Sequence, residues 1–429
     1  MRLDQAFCRS HFPQLSDGVA YLENGGGTLV PREVIERITA QLSAGRSQPM
    51  EHVPAGRAAS AVQKAGRRRL AAMINAPEEG VVIGPSTTLN TYILSQAMAD
   101  LIGPEDAVLV TDQDHEANGG AWRRLAEARG ADLREWRVDP VTGLLDPADL
   151  PALLADGRVA LACFPHASNL IGAVNPVAEI ARAVKAARSA AIVVADGVAW
   201  AGHGAVDVQA LGVDVYLFSL YKVYGPHLGV MAVDPALVRR CANQNHFFHA
   251  TNWPENIHPG GTCYDLAAGV EGVPAYFQAV HDHHFDAAAR GEKDDKGDAQ
   301  TDAKTAQAVF GLFREAERVV TAGFAAFLAR QPKLTLLGPP VTEETRVPVF
   351  ALAVQGADVA ALADHLAAAG VTCGAGDFYA KRLVDRLAEG HPDRIDPARG
   401  VLRISFAHYN TLAEAQRVMD ALEGAVAEL

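Results

Sequence analysis

Hydrophobic positions in the middle of the chain fall in short unbroken blocks. Ala107–Asp112 (AVLVTD), Val159–Phe164 (VALACF) and Ala190–Asp196 (AAIVVAD) each end at a polar or turn residue. Each block predicts a strand buried on both faces. Between two of them, Pro176–Ala190 places Val177, Ile180, Ala181 and Val184 at helical spacing with charges opposite, which predicts an amphipathic helix. Alternation of strand and helix predicts an α/β doubly wound sheet, whose ligands bind beyond the carboxyl ends of the strands.

Near residue 285 the texture changes. Ala287–Lys304 (AAARGEKDDKGDAQTDAK) has no large apolar residue and carries charges of both signs, as expected of a solvated loop or mobile helix, with a lid as one further option. Beyond it a smaller α+β unit is expected. Val347–Val354 and Val401–Phe406 read as strands, and Leu412, Met419 and Val426 mark one face of a terminal helix. Thr411 with Glu414 forms a capping box for that helix. The expected division is an N-terminal arm (1–20) packing with the small domain, a large domain (21–285), a charged loop (286–305) and a small C-terminal domain (306–429).

Composition narrows the class. A chain of 429 residues that is 49% hydrophobic can bury a core large enough for two domains. Its net charge of −13 argues against a nucleic-acid or anionic-membrane surface. Met1–Gln14 lacks the apolar run of a signal peptide, and no stretch approaches about 20 uninterrupted apolar residues. Cys8, Cys163, Cys241, Cys263 and Cys373 are dispersed without CxxC pairs, which suits free thiols in a cytoplasmic enzyme.

Of the eight lysines, seven sit in charged or helix-surface contexts. Lys222 instead follows the strand-like run Val213–Leu220 and precedes Val-Tyr-Gly-Pro. Burial there would lower the ammonium pKa, as an amine that forms a Schiff base requires. A lysine snorkelling at a strand end is the alternative. Asp196 ends the preceding apolar block, where an unpaired carboxylate is costly. Asp196 and Lys222 thus close successive strands, joined by a crossover long enough for parallel pairing, and should emerge at one sheet edge. The pair fits pyridoxal 5'-phosphate (PLP), with the carboxylate on the pyridine nitrogen and the amine on the aldehyde. A buried Asp capping the next turn is the plainer reading.

The segment Asp196–Gly229 (DGVAWAGHGAVDVQALGVDVYLFSLYKVYGPHLG) resembles the cofactor region of class V aminotransferases and cysteine desulfurases, which are fold-type-I PLP-dependent enzymes. The resemblance extends through Tyr21–Pro31 (YLENGGGTLVP), Asp114–Trp122 (DHEANGGAW), His166–Pro176 (HASNLIGAVNP) and Leu402–Thr411 (LRISFAHYNT), in family order. It is strongest to the cysteine desulfurase-like branch, through the YK-x-x-GPHLG stretch. The resemblance implies a large doubly wound domain, a smaller C-terminal domain and a homodimer with an amino-acid substrate. It also implies roles: His115 stacks on the pyridine ring, Asn169 meets the ring hydroxyl, and Asp196 pairs with the pyridine nitrogen. Lys222 carries the Schiff base, and Thr87, Thr88 and Ser219 hold the phosphate. Thr87 and Thr88 open a helix, Leu89–Ile102, whose free N–H groups suit an anion; simple capping is the alternative. Thr262 matches a position that reaches the phosphate of the neighbouring subunit. Arg403 matches the position that binds the substrate α-carboxylate, with Asn24 assisting, although a structural salt bridge or a simple turn would also account for them.

Two positions depart from the family. Ala199 stands where a Gln or His contacts the ring hydroxyl. Tyr379 stands where the persulfide-forming cysteine of a desulfurase belongs, and Cys373 lies upstream of Gly374 and Gly376. A phenol forms no persulfide, so Tyr379 is expected to act as an acid or base, order the loop, or pack beside Phe378. The expectation is therefore a PLP enzyme of lyase, aminotransferase or epimerase type. A desulfurase using Cys373 and a non-catalytic PLP-fold homologue are the alternatives, and a nucleotide-binding Rossmann protein is weaker because no GxGxxG follows a strand. His281, His283 and His284 border the charged segment and are not read as metal ligands. His246 and His249 flank Phe247 and Phe248, which read as interface residues.

Overall fold

The computed structural model describes residues 1–45, 48–49, 52–285, 299–341 and 345–427. Its strands, in chain order, are β1 (Ala20–Tyr21), β2 (Val81–Gly84), β3 (Ala107–Thr111), β4 (Asp132–Trp136), β5 (Val159–Pro165), β6 (Ile192–Asp196) and β7 (Val215–Ser219). They continue with β8 (Gly229–Val233), β9 (Leu334–Leu336), β10 (Val349–Val354), β11 (Val371–Thr372), β12 (Gly374–Gly376) and β13 (Val401–Ser405).

Seven strands form the large sheet in the order β2-β8-β7-β6-β5-β3-β4, and β8 alone runs against the others. The apolar blocks are unbroken because alternate residues feed two cores. Leu109 of β3, Val193 and Ala195 of β6, and Tyr216 and Phe218 of β7 enter one core. Val108 and Val110, Ile192 and Val194, and Val215 and Leu217 enter the other. A strand covered on both faces leaves no position for a polar residue until it ends, whereas the edge strand β4 carries Asp132, Arg134 and Glu135.

The smaller sheet, β12-β13-β10-β9, is antiparallel, and β1 pairs in parallel with β11 beside it. Phe324, Phe350, Leu352, Ile404, Phe406, Val418 and Leu422 form its core. The terminal helix Leu412–Ala427 begins with the capping box: Glu414 N–H donates to Thr411 Oγ1 at 3.1 Å, and Thr411 N–H to Glu414 Oε2 at 2.8 Å. Its buried face is Ala415, Val418, Leu422 and Ala425, whereas Leu412, expected on that face, is exposed. The N-terminal segment is tied down by Arg9, which donates to the Tyr409 carbonyl and pairs with Glu414 at 2.9 Å. Asp4 binds His283, whose ring stacks on Phe7 at 3.8 Å.

Of the segment expected to be a charged loop, residues 286–298 lie outside the described residues. Residues 299–305 are helical and open the long helix Ala299–Leu328. A tertiary partner explains the difference: buried Asp302 pairs with Arg69 of the helix Pro54–Met73 at 2.9 Å, which draws this polar turn onto that helix.

Candidate cofactor and substrate site

Asp196 is the last residue of β6, and Lys222 lies in a single helical turn, Leu220–Lys222, that follows the adjacent parallel strand β7. Both face one cavity, which Thr87, Thr88, His115, Asn169 and Ser219 also line. The structure therefore brings together seven of the positions singled out in the sequence. Ser86 and Ala199 complete much of the wall.

At one end, Thr87 and Ser219 share a hydroxyl hydrogen bond of 2.7 Å. The helix Thr87–Ala97 starts here, with Ser86 Oγ accepting from Leu89 N–H at 3.1 Å. Gly229 makes this junction possible: a Cβ on it would stand 2.2 Å from the Ser86 carbonyl carbon. The first N–H groups of the helix and its dipole make this end an anion cradle.

Burial sets the electrostatics of the rest. It lowers the Lys222 ammonium to about 8, helped by Arg403 and opposed by Asp196 and Glu23. It raises Asp196 to about 6, against the Val198 N–H bond at 2.9 Å and the charge on Lys222. It lowers His115 to about 4, with Lys222 and Arg403 adding to the effect. His115 caps the helix Glu116–Arg129 by accepting Ala117 N–H on Nδ1 at 3.0 Å, which assigns the ring proton to Nε2. A neutral, flat imidazole on the wall suits stacking on a heteroaromatic ring.

Asn169 donates through Nδ2 to the Phe378 carbonyl at 2.9 Å, while its Oδ1 is buried with no hydrogen-bond partner among the described residues. Ala199 offers that oxygen nothing. Tyr379 lies at the rim, 74% exposed, its ring 5.3 Å from that of His115 and its carbonyl accepting Glu116 N–H at 2.7 Å. Arg403 is buried and pairs with Glu23. Asn24 is buried, with its amide bonded to Ser405, Asn410, Tyr21 and Tyr409. Cys373 lies between β11 and β12, packed on the small core. Thr262 donates to the Ile83 carbonyl at 3.1 Å and lines a different cleft of this chain. Sequence reasoning missed Glu23, Ser86 and Phe378; the only local signal was Ser86 preceding a helix start.

The cavity fits PLP on its own chemistry. It offers an anion cradle, a carboxylate at the end of one strand and an amine just beyond its neighbour, a neutral imidazole on the wall and an orphaned amide oxygen. Fold and site define a fold-type-I PLP-class α/β protein. The chain belongs to the aminotransferase class-V family, whose model matches residues 20–244. Members of that family are PLP-dependent. The chain is 29% identical over 425 residues to the aminotransferase-like protein FGM3 of Gibberella zeae, covering 97% of this chain and 96% of that protein. It is 34% identical over 241 residues to a cysteine desulfurase of Serratia proteamaculans, covering 54% and 58%. The fold matches that of a cysteine desulfurase from Thermococcus onnurineus with a TM-score of 0.82, covering 100% and 99% of the two chains at 21% identity. Among the described residues no helix is long and apolar enough to cross a membrane.

Proposed function

We propose that this chain is a PLP-dependent enzyme that acts on an amino acid, with the cofactor held on Lys222. The observation that carries this reading is the pair Asp196, at the end of β6, and Lys222, in the turn after the adjacent parallel strand β7, which line one buried cavity. The hydroxyls of Thr87, Thr88 and Ser219 and the helix N-terminus would hold the phosphate. Asp196 would keep the pyridine nitrogen protonated, His115 would cover the ring, and Asn169 Oδ1 would take the ring hydroxyl. When bound, PLP supplies an electron sink for the carbon beside the substrate amine. Lys222 Nζ would move the proton at that carbon. Arg403 would hold the substrate carboxylate, and Tyr379 would order the rim.

The reaction we infer is elimination, transamination or epimerisation rather than persulfide formation. Supporting this, burial pushes the Cys373 thiol up to about 12, with Glu23 adding to the effect, so the thiolate nucleophile is disfavoured. We also infer a homodimer, because Phe247 and Phe248, with ring centroids 5.4 Å apart, are both exposed, and Thr262 would then serve the partner's site. The test is reduction with borohydride followed by mass spectrometry, then a panel of amino acids with products identified by mass. Wild type should carry a reduced cofactor on Lys222, and Lys222→Ala should carry none. A reduced cofactor on another lysine would sink the assignment.

A further inference from the structure

Three groups occupy Arg403 in this structure. Its Nη2 donates to Glu23 Oε1, its Nη1 donates to the Asn169 carbonyl at 3.0 Å, and the Phe378 ring lies 3.8 Å from the guanidinium carbon. Gly25 crowds it as well, since a Cβ there would stand 3.3 Å from Cζ. Arg403 is 2% exposed, so a dissolved carboxylate cannot reach it without moving a neighbour.

Of these neighbours only Glu23 brings charge, and its pairing is half made. Glu23 Oε2 and Arg403 Nε are both buried without a hydrogen-bond partner among the described residues. A guanidinium and a carboxylate can form two parallel bonds, and here one of the two is made. Glu23 also has a way out, because its side chain is 22% exposed against 3% for Arg403. The cover over the pair is strained. Phe378 and Tyr379 hold φ of 51° and 60°, the left-handed region that residues with a Cβ enter at a cost.

We propose that Glu23 is a specificity-determining residue, a tethered carboxylate that occupies Arg403 until the substrate carboxylate displaces it. The inference rests on the reading of Arg403 as the carboxylate clamp. A ligand carboxylate gains only the difference between its own pairing and the one it replaces, so Glu23 sets a threshold that uncharged or weakly seated ligands do not pass.

Propionate and propionamide, alike in shape and different in charge, test this when titrated into cofactor-loaded wild type, Glu23→Gln and Arg403→Lys. The readouts are the thermal midpoint and the cofactor absorbance. Glu23→Gln should have a lower midpoint without ligand, because it leaves a buried guanidinium without its counter-charge. It should bind propionate about tenfold more tightly than wild type, the size of one charge-assisted hydrogen bond, with propionamide unchanged. If Arg403→Lys weakens propionate but Glu23→Gln leaves it unchanged or weaker, Glu23 merely supports the arginine and the inference is overturned alone. If Arg403→Lys leaves propionate binding untouched, the clamp reading falls and the inference falls with it. Equal changes for both ligands mean general loosening and also overturn it. Should Glu23→Gln not fold, Glu23→Asp draws the carboxylate back by a methylene and should tighten propionate in the same direction by less.

Discussion

Lys222 donates through Nζ to the carbonyl oxygen of Gly25 at 2.6 Å, across 197 residues of sequence. The same glycine donates its N–H to Ser405 Oγ at 2.7 Å. One residue of the glycine run therefore joins the lysine turn of the large sheet to β13 of the small one. The amine rests on a neutral acceptor, and it must leave that carbonyl and lose a proton before it can attack an aldehyde.

Uptake of PLP by cofactor-free protein should accordingly depend on pH. The neutral amine is the nucleophile, and burial lowers Lys222 from its ordinary value to about 8. The rate should rise through about pH 8 and level off above it. Arg403→Gln should move the midpoint upward, because the guanidinium is the second cause of the lowering. Stopped-flow absorbance reads both, and a midpoint near that of free lysine would contradict the buried placement.

Arg403→Lys should raise KM for the amino-acid substrate about tenfold or more while leaving PLP affinity unchanged, since a point charge replaces a planar fork. Steady-state kinetics with a parallel cofactor titration separates the two effects. Unchanged kinetics would assign the arginine to the fold alone.

Supplied with cysteine, the protein should release product without forming a persulfide on Cys373, whose thiol is pushed up to about 12. Mass spectrometry of wild type and Cys373→Ser decides the matter. A persulfide present in the first and absent in the second would make this a desulfurase after all.

Sedimentation should show a dimer, and Phe247→Ser with Phe248→Ser should shift it toward monomer, since those rings are 87% and 61% exposed in the single chain. A wild type that is fully active as a concentration-independent monomer would refute the dimer.

Thr411→Ala should cost about 1 kcal/mol by loss of the helix cap. Glu414→Ala should cost more, because Glu414 also accepts from Asn410 and pairs with Arg9 of the N-terminal segment. Denaturant titration of both variants measures the order, and a reversed order would mean that the arm contact is weak.

The large sheet and the Asp196–Lys222 pair were legible in the sequence because their causes are local. A strand buried on both faces must be apolar at consecutive positions, as Ile192–Ala195 and Val215–Phe218 are, and its first polar residue marks the sheet edge where ligands bind. The capping box at Thr411 and Glu414 is equally local, since both partners lie within one helical turn. The occupancy of Arg403 was not legible. Glu23 is 380 residues away, and only the approach of the segment after β1 to β13 brings the charges together. Asn169 and Phe378 meet across 209 residues, and Arg69 captures Asp302 across 233, turning residues expected as loop into helix. Periodicity reports which face of an element is buried; which distant charge then meets it depends on how the elements pack, and that is set by the tertiary structure.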